Sequence, residues 1–171
     1  MHGSVSVRVQ PGSGNRVFFG AINNQGLAGG CLENIKTGVL TPVLWRQGSY
    51  TRLPTGDLPA GMVYGVNEAG DATGKVTQAD GFGQRAARWV GGQLQVLSND
   101  QVGGSRGEHI NDKGSVAIVY GMPTDPQIMR VGLWRGDQLT PLPEMRSLAA
   151  LNNLDEVLGQ STEGPARAAV W

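Results

Sequence analysis

Cysteine is almost absent. The lone Cys31 excludes an internal disulfide framework and a cysteine-based zinc site, and it leaves the redox compartment open. An excess of either charge is missing too. Lys plus Arg number 14, as do Asp plus Glu, so no global field draws the chain to nucleic acid or to a membrane surface. No apolar run nears the roughly 18 residues that a bilayer span needs. Met1-His2-Gly3-Ser4 shows no charged region followed by an apolar one, so no signal peptide is expected in the chain as written. With only two histidines, no His-Glu-x-x-His and no metal-ligand spacing, neither a metal nor another cofactor is expected.

Glycine is what the chain has in quantity: 27 of its 171 residues, against a usual share near 7%. The length suits a single domain with a substantial core. Few charges and many glycines fit short strands joined by tight turns better than long helices. One segment recurs four times. Ile22-Asn23-Asn24-Gln25-Gly26 returns as Val66-Asn67-Glu68-Ala69-Gly70, as Ile110-Asn111-Asp112-Lys113-Gly114 and as Leu151-Asn152-Asn153-Leu154-Asp155. The leading asparagines are 44, 44 and 41 residues apart, and the four tryptophans (Trp45, Trp89, Trp134, Trp171) follow them by 22, 22, 23 and 19. Asn bonds its own backbone and tolerates positive φ, and Gly takes the left-handed position freely, so each segment is a hairpin turn.

Around each turn the alternation predicts strand A before the Asn, B after the Gly, C ending in Trp, and D after a second Gly turn. The fourth copy lacks D, whereas residues 4–9 read as a D strand with nothing ahead of it. Val9 precedes Asn23 by 14 residues, as Leu53 precedes Asn67 and Leu97 precedes Asn111. A ring lets the first strand complete the last unit, and it removes the bare strand edges of an open array. The fold expected is therefore all-β: a four-bladed β-propeller of four antiparallel strands per blade, closed by the N-terminal strand. One domain covers residues 1–171, with blades at roughly 17–54, 62–98, 105–143, and 146–171 plus 3–10.

The run Ile-Asn-x-x-Gly, then small and apolar residues, then a strand ending Leu-Trp and a Gly turn, resembles the HAF-repeat proteins of bacteria. The resemblance runs through all four copies. It implies a largely extracellular protein and assigns no general activity. The copies depart from the pattern in three places: His109 stands where Ala21, Gly65 and Ala150 are small, Ile118 where Gly30, Gly74 and Gly159 are glycine, and Asp155 at the turn glycine.

Several side chains are candidates for function. The tryptophans offer apolar platforms for sugars, but recurrence in every copy favours packing between blades, so all four are expected to be mostly buried. Arg85, Arg130 and Arg167 lie four residues before three of the tryptophans, where Thr41 stands in the first copy. They are expected at the start of strand C, on the rim shared by the B–C and D–A loops. From there guanidinium forks can hold a carboxylate, phosphate or sulfate, or can simply pair with neighbouring acids. Glu108 and His109, with Arg106, are expected near the central channel, where His109 can act as base or ligand or can satisfy a backbone group. The longest variable loops, 33–40, 78–83 and 121–128, share the arginine rim, and the shortest, 161–165, makes any site lopsided.

The leading functional reading is a non-catalytic module presenting loops on a rigid ring to a protein or carbohydrate ligand. One alternative is an enzyme acting on an anionic substrate such as an acidic sugar, through Glu108 or His109 with the arginine arc. Another is a structural fragment of a longer propeller, or half of an eight-bladed one, so monomer and homodimer both stay open.

Overall fold

The computed structural model describes residues 12–100, 102–162 and 168–171. They form fifteen strands and no helix, in four antiparallel sheets. The first sheet is β1 (Asn15–Ile22), β2 (Ala28–Asn34), β3 (Leu40–Arg46) and β4 (Ser49–Arg52). The second is β5 (Ala60–Val66), β6 (Ala72–Thr77), β7 (Arg85–Val90) and β8 (Gln93–Val96). The third is β9 (Ser105–Ile110), β10 (Val116–Met122), β11 (Asp125–Arg135) and β12 (Gln138–Pro141). The fourth holds β13 (Met145–Leu151), β14 (Val157–Ser161) and β15 (Ala168–Val170). Within each sheet, neighbours in sequence are neighbours in space, the up-and-down order that short hairpins dictate. The N-terminal strand expected at residues 4–9 lies outside the described residues.

Each Asn turn is built the same way. Asn23 Oδ1 accepts the N–H groups of Gln25 and Leu27 at 3.0 and 2.9 Å, and the Gly26 N–H closes on the Asn23 carbonyl at 3.1 Å. Asn111 Oδ1 holds Lys113 and Ser115 likewise, and Asn152 Oδ1 holds Leu154 and Glu156. Gly26, Gly70 and Gly114 take φ of 75, 89 and 79°, and Asp155 adopts the same left-handed conformation at 69°. The hairpin geometry therefore survives the loss of the glycine, and Asp is among the residues that tolerate this region.

The same asparagines also join the sheets. Asn23 Nδ2 donates to the Asn67 carbonyl at 2.9 Å, Asn67 Nδ2 to the Asn111 carbonyl at 3.0 Å, and Asn111 Nδ2 to the Asn152 carbonyl at 2.9 Å. A second ladder runs beside it. The Asn24, Glu68 and Asp112 N–H groups donate to the side-chain oxygens of Glu68, Asp112 and Asn153, each at 2.9 Å. Asn23, Asn67 and Asn111 are all buried, so a missing partner there would be costly. At the end of the series the Asn152 amide turns back to Glu156 Oε2.

The core is a set of seams rather than one centre. Trp89 packs with Val63, Ala72, Val76 and Ala87 of its own sheet and with Leu53 after the first. Trp134 packs with Ile110, Val116 and Ile118 and with Ala86 and Leu97 from the second repeat. Val131, Leu133 and Leu142 meet Met145 and Val157 of the fourth sheet. Each seam lies between consecutive repeats, so each unit buries its apolar face against its neighbour.

Every first strand of a sheet also carries a bulge at one repeat position. The registers of β1, β5, β9 and β13 each skip a residue: Gly20, Tyr64, Glu108 and Ala149, three before each turn Asn. Beside the bulge a glycine faces a larger residue: Phe19 opposite Gly30, Val63 opposite Gly74, Leu148 opposite Gly159. The third repeat reverses the pair, with Gly107 opposite Ile118. A Cβ on Gly30, Gly74 or Gly159 would overlap the carbonyl oxygen of Phe18, Met62 or Ser147. The departure at Ile118 is thus an exchange across the ladder.

Candidate functional site

In the third and fourth repeats the B–C and D–A connections meet at one end of the sheets. The Gly103 N–H donates to the Gly121 carbonyl at 2.8 Å, the Gly121 N–H to the Gly104 carbonyl at 2.9 Å, and the Thr162 N–H to the Glu144 carbonyl at 2.8 Å. The opposite rim holds the Asn turns, braced by Arg88, whose Nη1 reaches the Gly114 carbonyl at 2.6 Å.

Arg130 does not sit at a strand start, as the sequence reading had it. Segment 121–128 is not an open loop either. β10 continues to Met122 and β11 begins at Asp125, with Met122 paired to Asp125 and Gly121 to Met129. Residues 126–128 bulge out between those pairs, which is how Pro126, lacking an N–H, fits inside a strand. Arg130 consequently lies mid-strand, directly across the ladder from Tyr120. It borders a hollow of about 260 Å3 lined by Tyr120, Met122, Val131, Pro141, Leu142 and Pro143. Its Nε is shielded from solvent and has no hydrogen-bond partner. Burial pushes the Tyr120 phenol above its ordinary value, and the nearby Arg130 charge pulls it partly back.

Arg85 is exposed at the first residue of β7, where the sequence reading placed it, and pairs across the ladder with Val76. Arg167 lies outside the described residues, so the expected arc reduces to Arg85 and Arg130, in unlike settings.

Glu108 and His109 lie on β9, the strand that packs beside β5. Glu108 is the bulged residue and forms an ion pair with Arg106. Its charge acts on Tyr64, the bulged residue of β5, and on Lys75 of β6, whose Nζ donates to Gln84 Oε1 at 3.3 Å. Burial raises the Tyr64 phenol, against Arg106, which lowers it, while Glu108 and Cys31 raise it further. Burial also lowers the Lys75 ammonium, with Arg106 adding to the effect. His109 is shifted down by burial, against Glu108 and an interaction with the Ala149 backbone that favour its charged form. The small residues at its position allow close approach: a Cβ on Gly65 would lie 3.1 Å from the Glu108 carbonyl oxygen. His109 instead interacts with the Ala149 backbone on β13, in the fourth sheet. Cys31 is fully buried and its thiol is raised to about 11, first by burial and then by Glu33, so it is a poor nucleophile.

Not all four tryptophans are buried. Trp89 and Trp134 are 1 and 4% exposed and donate their indole N–H to the Pro54 and Gly136 carbonyls at 2.7 and 3.0 Å. Trp45 is half-buried, edge-on to Phe19 at 6.3 Å, with its N–H unpartnered. Trp171 is 42% exposed, its ring 5.6 Å from the Arg135 guanidinium. Trp89 and Trp134 lie across from Leu94 and Leu139, which pack on their clusters, whereas Trp45 lies across from the exposed Tyr50. Among the described residues no strand pairs with β15 on that side.

Sequence reasoning missed Tyr64, Lys75 and Tyr120. For Tyr64 a signal exists, since Gly20, Tyr64, Glu108 and Ala149 share one repeat position. Among the described residues no group of three His, Cys, Asp or Glu side chains comes together as metal ligands. No helix among them is long and apolar enough to cross a membrane. Comparison with known proteins adds no relative: no family model matches the chain, and no curated protein matches it.

Proposed function

We propose that the protein is a non-catalytic binding module, a single β-propeller domain akin to the HAF-repeat proteins, presenting a protein or carbohydrate ligand with its B–C and D–A rim. Four sheets joined by serial seams and by forward-reaching asparagine ladders support the ring arrangement. The N-terminal strand would complete the fourth sheet and cover Val170 and Trp171.

The observation that carries the functional reading is the fate of the recurring residues. The turn asparagines are engaged in joining one repeat to the next, whereas the rim differs from copy to copy. The side chains an enzyme would use are engaged as well, Glu108 by Arg106 and His109 by the Ala149 backbone. A glycan and peptide array, run beside a broad hydrolase screen, tests the proposal. Saturable binding without turnover is expected. Turnover abolished by Glu108→Gln or His109→Ala would replace the module with the enzyme reading.

A further inference from the structure

The hollow at Arg130 has features that packing alone does not require. A guanidinium stays charged at any pH the fold survives. Arg130 directs that charge to a place where its Nε meets neither water nor an acceptor. It forms no ion pair with the described residues, in contrast to Arg16, Arg106 and Arg135, which face Glu33, Glu108 and Asp155. The remaining walls are hydrocarbon and aromatic: Met122, Val131, Leu142, two prolines and the Tyr120 ring. At about 260 Å3 the hollow is smaller than the roughly 300–1,000 Å3 of drug-sized sites, a space for one ring and a short arm.

We propose that this hollow binds a monocarboxylate with a flat apolar body. The carboxylate accepts end-on from the two Nη groups of Arg130, since Nε is shielded from the hollow. The body lies against Tyr120, Pro141 and Pro143. A phosphate suits the site less, because one cation without Lys or a nest of backbone N–H groups leaves a dianion half-compensated in apolar walls. A free aromatic acid and the carboxylate of a chain ending in Phe share this chemistry. The assignment rests on the binding-module reading and names the class of ligand at its rim.

The test is an NMR titration of the full chain with phenylacetate, phenylacetamide, inorganic phosphate and a pentapeptide ending in Phe, free or amidated. Expected are saturable shifts at Tyr120 and Met122 with phenylacetate, and binding of the amide weaker by about tenfold or more. Arg130→Met should abolish the difference between acid and amide, and Arg130→Lys should keep part of it. Preference for the free-ended peptide over phenylacetate would assign the carboxylate to a polypeptide terminus; the reverse would assign it to a free acid. Equal binding of acid and amide by the wild-type chain overturns the proposal even if Arg130→Met fails to fold. Phosphate binding as tight as phenylacetate overturns it as well. If these acids fail while an array ligand binds elsewhere, the hollow is misassigned and the module reading stands. If phenylacetate binds here and the hydrolase screen finds turnover, the hollow stands and the module reading falls.

Discussion

Replacing Asn67 by Ala isolates the joint between the second and third sheets. The side chain is 4% exposed and makes two hydrogen bonds: its Oδ1 accepts the Asp71 N–H at 2.8 Å, and its Nδ2 donates to the Asn111 carbonyl at 3.0 Å. Removing the first orphans the Asp71 N–H, at about 1–3 kcal/mol. Removing the second costs less, about 0.5–1.5 kcal/mol, because the Asn111 carbonyl still accepts the Gly114 N–H. Together the loss is about 3 kcal/mol, which lowers Tm by about 6–12 °C in a domain of this size. Asn152→Ala is the control. Its amide bonds only the exposed Glu156 carboxylate, and its Oδ1 serves exposed N–H groups that water can satisfy, so about 1 kcal/mol is expected. Denaturant midpoints at constant m, with thermal melts, measure both. Asn67→Asp separates the two bonds, since it keeps the turn acceptor and loses the donor to the third sheet. Equal losses in the two alanine variants, or wild-type stability in Asn67→Asp, would refute the view that the inter-sheet amide stabilises the array.

Gly74→Ala should cost more than about 3 kcal/mol or abolish soluble expression, because its Cβ would overlap the Met62 carbonyl. Gly81→Ala, at φ 86° with open space around it, should cost only about 1 kcal/mol; melting curves compare them. Trp89→Phe should lose about 2–3 kcal/mol by emptying a seam and orphaning the Pro54 carbonyl, while Trp171→Phe should lose under about 1 kcal/mol. The pH dependence has a definite sign. Because burial holds His109 below its ordinary 6.5, the unfolded chain binds the extra proton first, and stability contributed by neutral His109 falls as pH drops from 6.5 toward the folded value. The Tm difference between wild type and His109→Gln should therefore shift against wild type between pH 7.5 and pH 5.5, and a pH-independent difference would refute the assignment.

The strands were legible because their punctuation is local. An Asn that bonds its own backbone and a residue at positive φ specify the turn, and period-two alternation specifies what flanks it. The hairpin at 121–128 was misread because Pro123 and Pro126 are breakers in most contexts; the bulge that excuses Pro126 from the ladder leaves no mark in composition. The burial expected for Trp171 rested on a strand at residues 4–9, which lie outside the described residues. At the site, the sequence marked Arg130, Glu108 and His109 as candidates. It could not show that Arg130 lies opposite Tyr120, which depends on register, nor that the Glu108 charge acts on Tyr64, which depends on how two sheets pack. The second role of the turn asparagines was hidden for the same reason: an amide's far partner is set by how repeats pack.

The asparagine ladders have a direction, and this bears on how such a molecule lengthens. The first three turns each lend an amide to the successor and the last three each offer a carbonyl to the predecessor, so an inner copy carries both halves of a seam. A gene duplication that inserts one whole copy would bring a working joint at each of its borders, with no matching mutation required elsewhere. The joint itself carries no count of copies.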